Sequence, residues 1–180
     1  MVNKDIQSVL ICESEIKEIV KGLATKINKD YIGEQLLVVC MLKGSCIFFS
    51  DLIRELDLDI RLEFMRISSY GNSAKTSNNV KIIHDLQEDI KGKNVLIVED
   101  IIDSGRTIKN LKELLAKREP KSLRVATMLD KPDRREVDIN GEYIGKVIPN
   151  EFVVGYGLDY AQKYRNLKDI CVLAKSVYLN

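Results

Sequence analysis

Val95-Leu96-Ile97-Val98-Glu99-Asp100-Ile101-Ile102-Asp103-Ser104-Gly105-Arg106-Thr107 is the stretch that decides how this chain is read. Its first four residues are apolar, three of them β-branched, and the run Asn94 to Val98 is expected as a buried strand. Glu99 and Asp100 follow at once, and Asp103 comes three residues later. Ser104, Gly105 and Thr107 then open a helix expected from about Ser104 to Lys117. In open α/β sheets, ligands bind beyond the carboxyl ends of the strands. Backbone N–H groups and hydroxyls at a helix start hold phosphate. Carboxylates accept hydrogen bonds from ribose hydroxyls or help hold a hard cation. A strand, then acids, then a small loop, then a helix suits a phosphorylated sugar.

Working outward, the rest of the chain alternates in the same way. Strands are expected at Ser8 to Cys12, Leu36 to Leu42, Ile60 to Ile67, Val80 to Ile83 and Ser122 to Leu129. Ile16, Ile19, Val20, Leu23 and Ile27 recur at helical spacing in Glu13 to Asn28, and Cys46 to Leu56 reads as a second helix. Such alternation predicts a mainly parallel sheet with helices on its faces and right-handed crossovers. Ser68 to Asn79 is long and polar for a connection between strands, which suits a lid. After Val137 the expected strands are short: Tyr143 to Val147, Phe152 to Val154 and Ile170 to Leu173. One domain is expected over 1–180. Its core covers about 34–136, and a small hood combines the N-terminal segment with about 137–180.

Composition excludes several classes of protein. The 180 residues carry 28 basic and 27 acidic side chains, a formal net charge of +1, so neither nucleic acid nor a membrane surface is the expected partner. A chain of this size buries roughly 70% of its extended surface and needs no staples. The four cysteines form no C-x-x-C pair and are expected as reduced thiols in a cytoplasmic protein. No apolar run is long enough to span a bilayer. There is no zinc pattern, Ser-His-Asp arrangement or G-x-G-x-x-G loop.

Three expected strands end in polar residues: Lys43-Gly44-Ser45, Glu99-Asp100 and Asp130-Lys131-Pro132. One such ending is commonplace, whereas three form a constellation. Glu99 and Asp100 repel each other, and a ligand or cation would relieve that. Asp103 also suits a helix N-cap or an Asx-turn, a role compatible with facing a substrate. Gly105 suits a tight turn and equally a close approach of backbone to phosphate. His84, the single histidine, reads as structural or exposed.

With these residues in view, the stretch Val95 to Thr107 resembles the phosphoribosyl-diphosphate signature of type I phosphoribosyltransferases. L-K-G-S at Leu42 to Ser45, S-S-Y-G at Ser68 to Gly71, L-D-K-P at Leu129 to Pro132 and F-V-V-G-Y-G-L-D-Y at Phe152 to Tyr160 follow in order. Together they narrow the resemblance to the bacterial hypoxanthine(-guanine) phosphoribosyltransferases. It implies the α/β fold of that family and Mg²⁺-dependent transfer of phosphoribosyl from phosphoribosyl diphosphate to hypoxanthine or guanine, in purine salvage. IMP or GMP and diphosphate would be the products, and a homodimer or homotetramer the assembly.

The resemblance also implies residue roles. Glu99 and Asp100 would meet the ribose hydroxyls, directly or through Mg²⁺, and Asp159 a second Mg²⁺. Asp103, Ser104, Gly105, Arg106 and Thr107 would cradle the 5′-phosphate, with Asp103 also the acid or base at purine N7. Lys43, Gly44 and Arg165 would bind diphosphate, with a cis peptide expected before Lys43. Lys131 would bond the 6-oxo group, Phe152 would stack on the purine, and the Val153 backbone would read its edge. Ser69 and Tyr70 would belong to the lid. Other readings stay open: acceptance of xanthine, a nucleotide-sensing regulator on the same fold, or a receiver domain, in which the acidic strand should come first.

Overall fold

A computed structural model describes residues 4–68 and 81–179. Among them a six-stranded sheet has the order β4-β3-β2-β5-β6-β7. Its members are β2 (Leu36–Met41), β3 (Ile60–Ser68), β4 (Lys81–His84), β5 (Asn94–Ile102), β6 (Ser122–Asp130) and β7 (Tyr143–Val147). All neighbours are parallel except β3 and β4. The two expected lid residues Ser69 and Tyr70 lie outside the described residues.

Strand alternation explains why β2 and Val95 to Val98 of β5 are apolar throughout. Leu36, Val38 and Cys40, with Leu96 and Val98, face one side of the sheet and pack against α1 (Glu13–Asp30) and α2 (Cys46–Glu55). Leu37, Val39 and Met41, with Val95 and Ile97, face the other side. There they meet Ile108, Leu111 and Leu115 of α3 (Arg106–Ala116). A strand covered on both faces has no polar side to show, so its sequence reads as one hydrophobic run. The helices obey their own period: α1 buries Ile16, Val20, Leu23, Ala24 and Ile27.

A second sheet, in the order β1-β9-β8, joins β1 (Ile6–Ile11), β8 (Val153–Val154) and β9 (Ile170–Leu173) in antiparallel fashion. This smaller sheet forms the hood. The expected boundary at residue 137 needs correction, because Tyr143–Val147 is not part of it. That segment extends the main sheet as β7, with Ala126 opposite Tyr143 and Asp130 opposite Val147. The reason lies in Tyr143, buried against the main core with its hydroxyl donating to Asp30 of α1 (2.8 Å). No helix among the described residues is long and apolar enough to cross a membrane. The four thiols are free.

Candidate active site

Strand register opens the site. Pairing of β2 with β5 stops at Cys40 opposite Val98, while pairing of β5 with β6 continues to Ile102 opposite Asp130. The expected end of the strand at Val98 is therefore corrected: β5 runs four residues further. Ile101 and Ile102 keep pairing with β6, and Ile102 is buried against Ile108 of α3. Glu99 and Asp100 thus sit on a strand that has lost one neighbour, at the edge of a crevice. Both are only half-buried by surface. Loss of hydration nonetheless pushes both carboxyls up, and the Asp100 charge pushes Glu99 further. The Arg165 guanidinium offsets part of the rise at Asp100.

The departing end of β2 forms the second wall. Leu42–Lys43 is a cis peptide, as expected. Gly44 lies so close to Asp100 that a Cβ there would overlap the Asp100 carboxylate. Gly157, at φ +101°, presses on Gly44 in turn: its own Cβ would overlap the Gly44 carbonyl oxygen. Arg165 donates to the Gly157 carbonyl (2.7 Å) and pairs with Asp159 (2.7 Å). Lys43 and Arg165 each donate to Gln162 Oε1 at 3.3 Å. Lys43, Gly44, Asp100, Asp159 and Arg165 are thereby gathered where the hood meets the main sheet.

The loop after β5 forms a small cavity of about 120 Å³, lined by Glu99, Asp103, Ser104, Gly105 and Thr107 among others. Gly105 takes φ +80° and is the N-cap residue of α3. A side chain there would press on Ile139 (2.5 Å) and Arg135 (2.8 Å). Ser104 Oγ accepts from the Arg106 N–H (3.5 Å), and the Arg106 side chain turns to Glu136 (2.5 Å). Asp103 does not cap the helix. Its carboxylate accepts from Arg134 Nε (3.1 Å), and Arg135 donates to its backbone carbonyl (2.6 Å).

A larger cavity of about 510 Å³ adjoins Asp103. Ile101, Lys131 and Arg134 line the sheet side, and Phe152, Val153, Leu158, Asp159 and Tyr178 the hood side. Lys131 is buried, and its Nζ donates to the Glu151 carbonyl (2.7 Å). Burial pulls this ammonium below the usual lysine range, with the Asp103 charge acting the other way. Phe152 keeps 36% of its surface exposed.

Of the expected site residues in the described part of the chain, Glu99, Asp103, Ser104, Gly105, Thr107, Lys131, Phe152, Val153 and Asp159 line these two cavities. Lys43, Gly44, Asp100 and Arg165 gather with Asp159 where hood meets sheet. The Arg106 side chain turns away to Glu136. Arg134, Arg135, Gln162 and Tyr178 were missed. A signal existed for Arg135: Asp130 ends a buried strand and needs a charge partner, which Arg135 supplies. Nothing in the sequence singled out Arg134, Gln162 or Tyr178.

Among the described residues no group of three or more His, Cys, Asp or Glu could cage a metal. Two adjacent carboxylates of raised proton affinity still fit Mg²⁺, which usually binds through one or two carboxylates plus substrate phosphates.

Residues 13–161 match the family model described as the phosphoribosyl transferase domain. The chain belongs to the phosphoribosyltransferases. Among its phosphoribosyltransferase relatives, the hypoxanthine-guanine phosphoribosyltransferase of Staphylococcus aureus strain Mu50 is 47% identical, over 99% of this chain and 100% of that one. The bifunctional protein TilS/HprT of Listeria monocytogenes serotype 4b is 48% identical over 98% of this chain. The chain spans 27% of that longer relative. A crystal structure of a Staphylococcus aureus hypoxanthine phosphoribosyltransferase superposes with a TM-score of 0.94 at 48% identity, covering 98% of this chain and 96% of that one.

Proposed function

We propose that the chain transfers the 5-phosphoribosyl group from phosphoribosyl diphosphate to N9 of hypoxanthine, and of guanine, yielding IMP or GMP and diphosphate, with Mg²⁺. One observation carries this reading: the phosphate-sized loop cavity and the aromatic-walled cavity share Asp103, so sugar and base would meet at one carboxylate.

The 5′-phosphate would sit in the loop of Asp103 to Thr107, against backbone N–H groups at the start of α3. The ribose hydroxyls would meet Glu99 and Asp100. Lys43, the Gly44 backbone and Arg165 would hold the diphosphate. Glu99 and Asp100 would hold one Mg²⁺ and Asp159 would lie by a second, and the metal would supply charge neutralisation on the diphosphate when bound. In the other cavity Lys131 would donate to the 6-oxo group. The Phe152 ring would cover one face of the purine, and the Val153 backbone would contact its edge.

The reaction breaks the bond from C1′ to the diphosphate oxygen and forms the bond from N9 to C1′. Positive charge grows on the ribose ring as negative charge grows on the leaving group. Lys43 and Arg165 would stabilise the second, and the acidic pair the first. The proton on purine N7 passes to Asp103. Ser69 and Tyr70 would belong to a lid that excludes water from the reactive sugar.

The test is incubation with phosphoribosyl diphosphate, Mg²⁺ and each of hypoxanthine, guanine and xanthine, with products separated by chromatography. IMP and GMP are expected. Failure to form either nucleotide would refute the reading.

A further inference from the structure

Phe152 does not stand alone in the base cavity. The Tyr178 ring, on the one-turn helix α4 (Lys175–Tyr178), stacks on it with centroids 4.8 Å apart and planes inclined by 27°. Tyr160 meets the same ring edge-on at 5.6 Å and 88°. A base cannot lie between Phe152 and Tyr178, because two stacking distances need about 7 Å. The base must therefore take the other side of Phe152, toward Ile101 and Lys131 across the cavity.

Tyr178 is held where it is by the hood. It packs with Val177, Tyr160 and Leu167 against the hood core of Val154, Cys171 and Leu173. The Leu173 N–H donates to the Phe152 carbonyl (2.8 Å), and the Ala174 N–H to the Asp5 carbonyl (2.8 Å). One short segment thus ties down the backbone of Phe152 and, five residues later, the face of its ring. Even with Tyr178 in place Phe152 keeps 36% of its surface exposed, so without that ring only the edge contact of Tyr160 would steady its face.

Resting on the purine-site reading above, we propose that Tyr178 is a positioning residue for the base: it backs Phe152, so that the purine completes a three-layer stack of Tyr178, Phe152 and base. Tyr178 does not touch the reacting atoms. Its action is to hold the Phe152 face parallel to the base before the base arrives, which reduces the ordering that binding must impose.

Purified wild type, Tyr178→Ala, Tyr178→Phe, Phe152→Ala and the double variant Phe152→Ala/Tyr178→Ala separate the possibilities by steady-state kinetics with each substrate varied. Loss of one aromatic stack corresponds to about a twofold to tenfold change. Tyr178→Ala should raise KM for hypoxanthine by that factor, leave KM for phosphoribosyl diphosphate alone, and change kcat by less than about twofold. Tyr178→Phe, which keeps the ring, should restore the hypoxanthine KM. In the Phe152→Ala background Tyr178→Ala should have no further effect.

The proposal is overturned if Tyr178→Ala leaves the hypoxanthine KM unchanged. A lowered KM would also overturn it, because Tyr178 would then be covering the face the base needs. Equal weakening toward both substrates, or full additivity with Phe152→Ala, would make it a fold residue only. If Phe152→Ala itself leaves the hypoxanthine KM unchanged, the purine-site reading fails instead, which keeps the two failures distinct.

Discussion

Gly157→Ala tests the contact that joins hood to sheet. Gly157 stands at φ +101°, where an L-residue is strained, at about 1–3 kcal/mol. Its new Cβ would also overlap the Gly44 carbonyl oxygen, a backbone atom that cannot swing aside. Forcing extra atoms into a packed contact adds about 1–3 kcal/mol more. A total near ~3 kcal/mol corresponds to a fall in Tm of about 6–12 °C for a chain of this length. Gly33 is the control. It has φ +74° but nothing within 4 Å of its would-be Cβ, so Gly33→Ala carries the backbone strain alone. About 1 kcal/mol, or roughly 2–4 °C, is expected there. The functional consequence differs as well. Gly44 can yield only by moving away from Gly157, and it is already packed tightly against Asp100. Lys43 moves with it, so Gly157→Ala should raise KM for phosphoribosyl diphosphate by about tenfold or more, since misplacement by 1 Å is enough for such losses. Gly33→Ala should leave that KM alone. Scanning calorimetry and initial rates read both effects. Equal Tm shifts in the two variants, with the same KM, would refute the close approach of Gly157 to Gly44 and the coupling drawn from it.

Asp103→Asn should lower kcat by about 10²–10⁴ while Tm stays within about 2 °C, measured by initial rates and thermal melts; unchanged kcat removes Asp103 from proton transfer. Lys131→Ala should cut the preference for hypoxanthine over adenine by about tenfold to a hundredfold, since a charged hydrogen bond is lost, and equal discrimination would remove Lys131 from the 6-oxo contact. The Glu99 carboxyl is raised in the fold by burial and by Asp100, so the folded chain keeps a proton that the unfolded chain releases. That contribution to stability is present below the ordinary carboxylate value and is lost as pH rises through the raised one. Urea midpoints of the ligand-free wild type should therefore fall relative to Glu99→Gln as pH rises from about 4 toward neutrality; parallel curves would show that Glu99 is not perturbed.

The sheet was legible because its central strands bury both faces, leaving short continuous apolar runs such as Leu36–Met41, bounded by polar residues, that fit a buried strand. Boundaries were less so. Glu99 and Asp100 look like the end of a strand, since charge usually marks an exit from the core, yet β5 continues to Ile102 because β6 still pairs with it after β2 has left. The shortness of the elements after Val137 suggests a hood that includes Tyr143–Val147, whereas a buried tyrosine bonded to α1 draws that segment onto the main sheet. Neither outcome depends on local composition. Each is decided by which neighbour remains available, and that is a property of the assembled sheet.

The same distinction separates the site residues that were legible from those that were missed. Glu99, Asp100 and Asp103 face the crevice because strand and loop geometry puts them there, so a local motif suffices to find them. Arg134, Gln162 and Tyr178 each meet a partner distant in sequence: Arg134 reaches Asp103, Gln162 takes Lys43, and Tyr178 packs on Phe152. A surface arginine, a glutamine and a tyrosine carry no local mark of such a role. The consequence is asymmetric for the chemistry. Under the proposed function, phosphate and ribose would be met chiefly by β5 and the loop that follows it, so their recognition would be written in one stretch of sequence. Diphosphate and base would be met between hood and sheet, near Gly44 and Gly157 on one side and Phe152 and Ile101 on the other. Variation in how the hood seats should therefore alter leaving-group and base affinity while the 5′-phosphate contact stays intact.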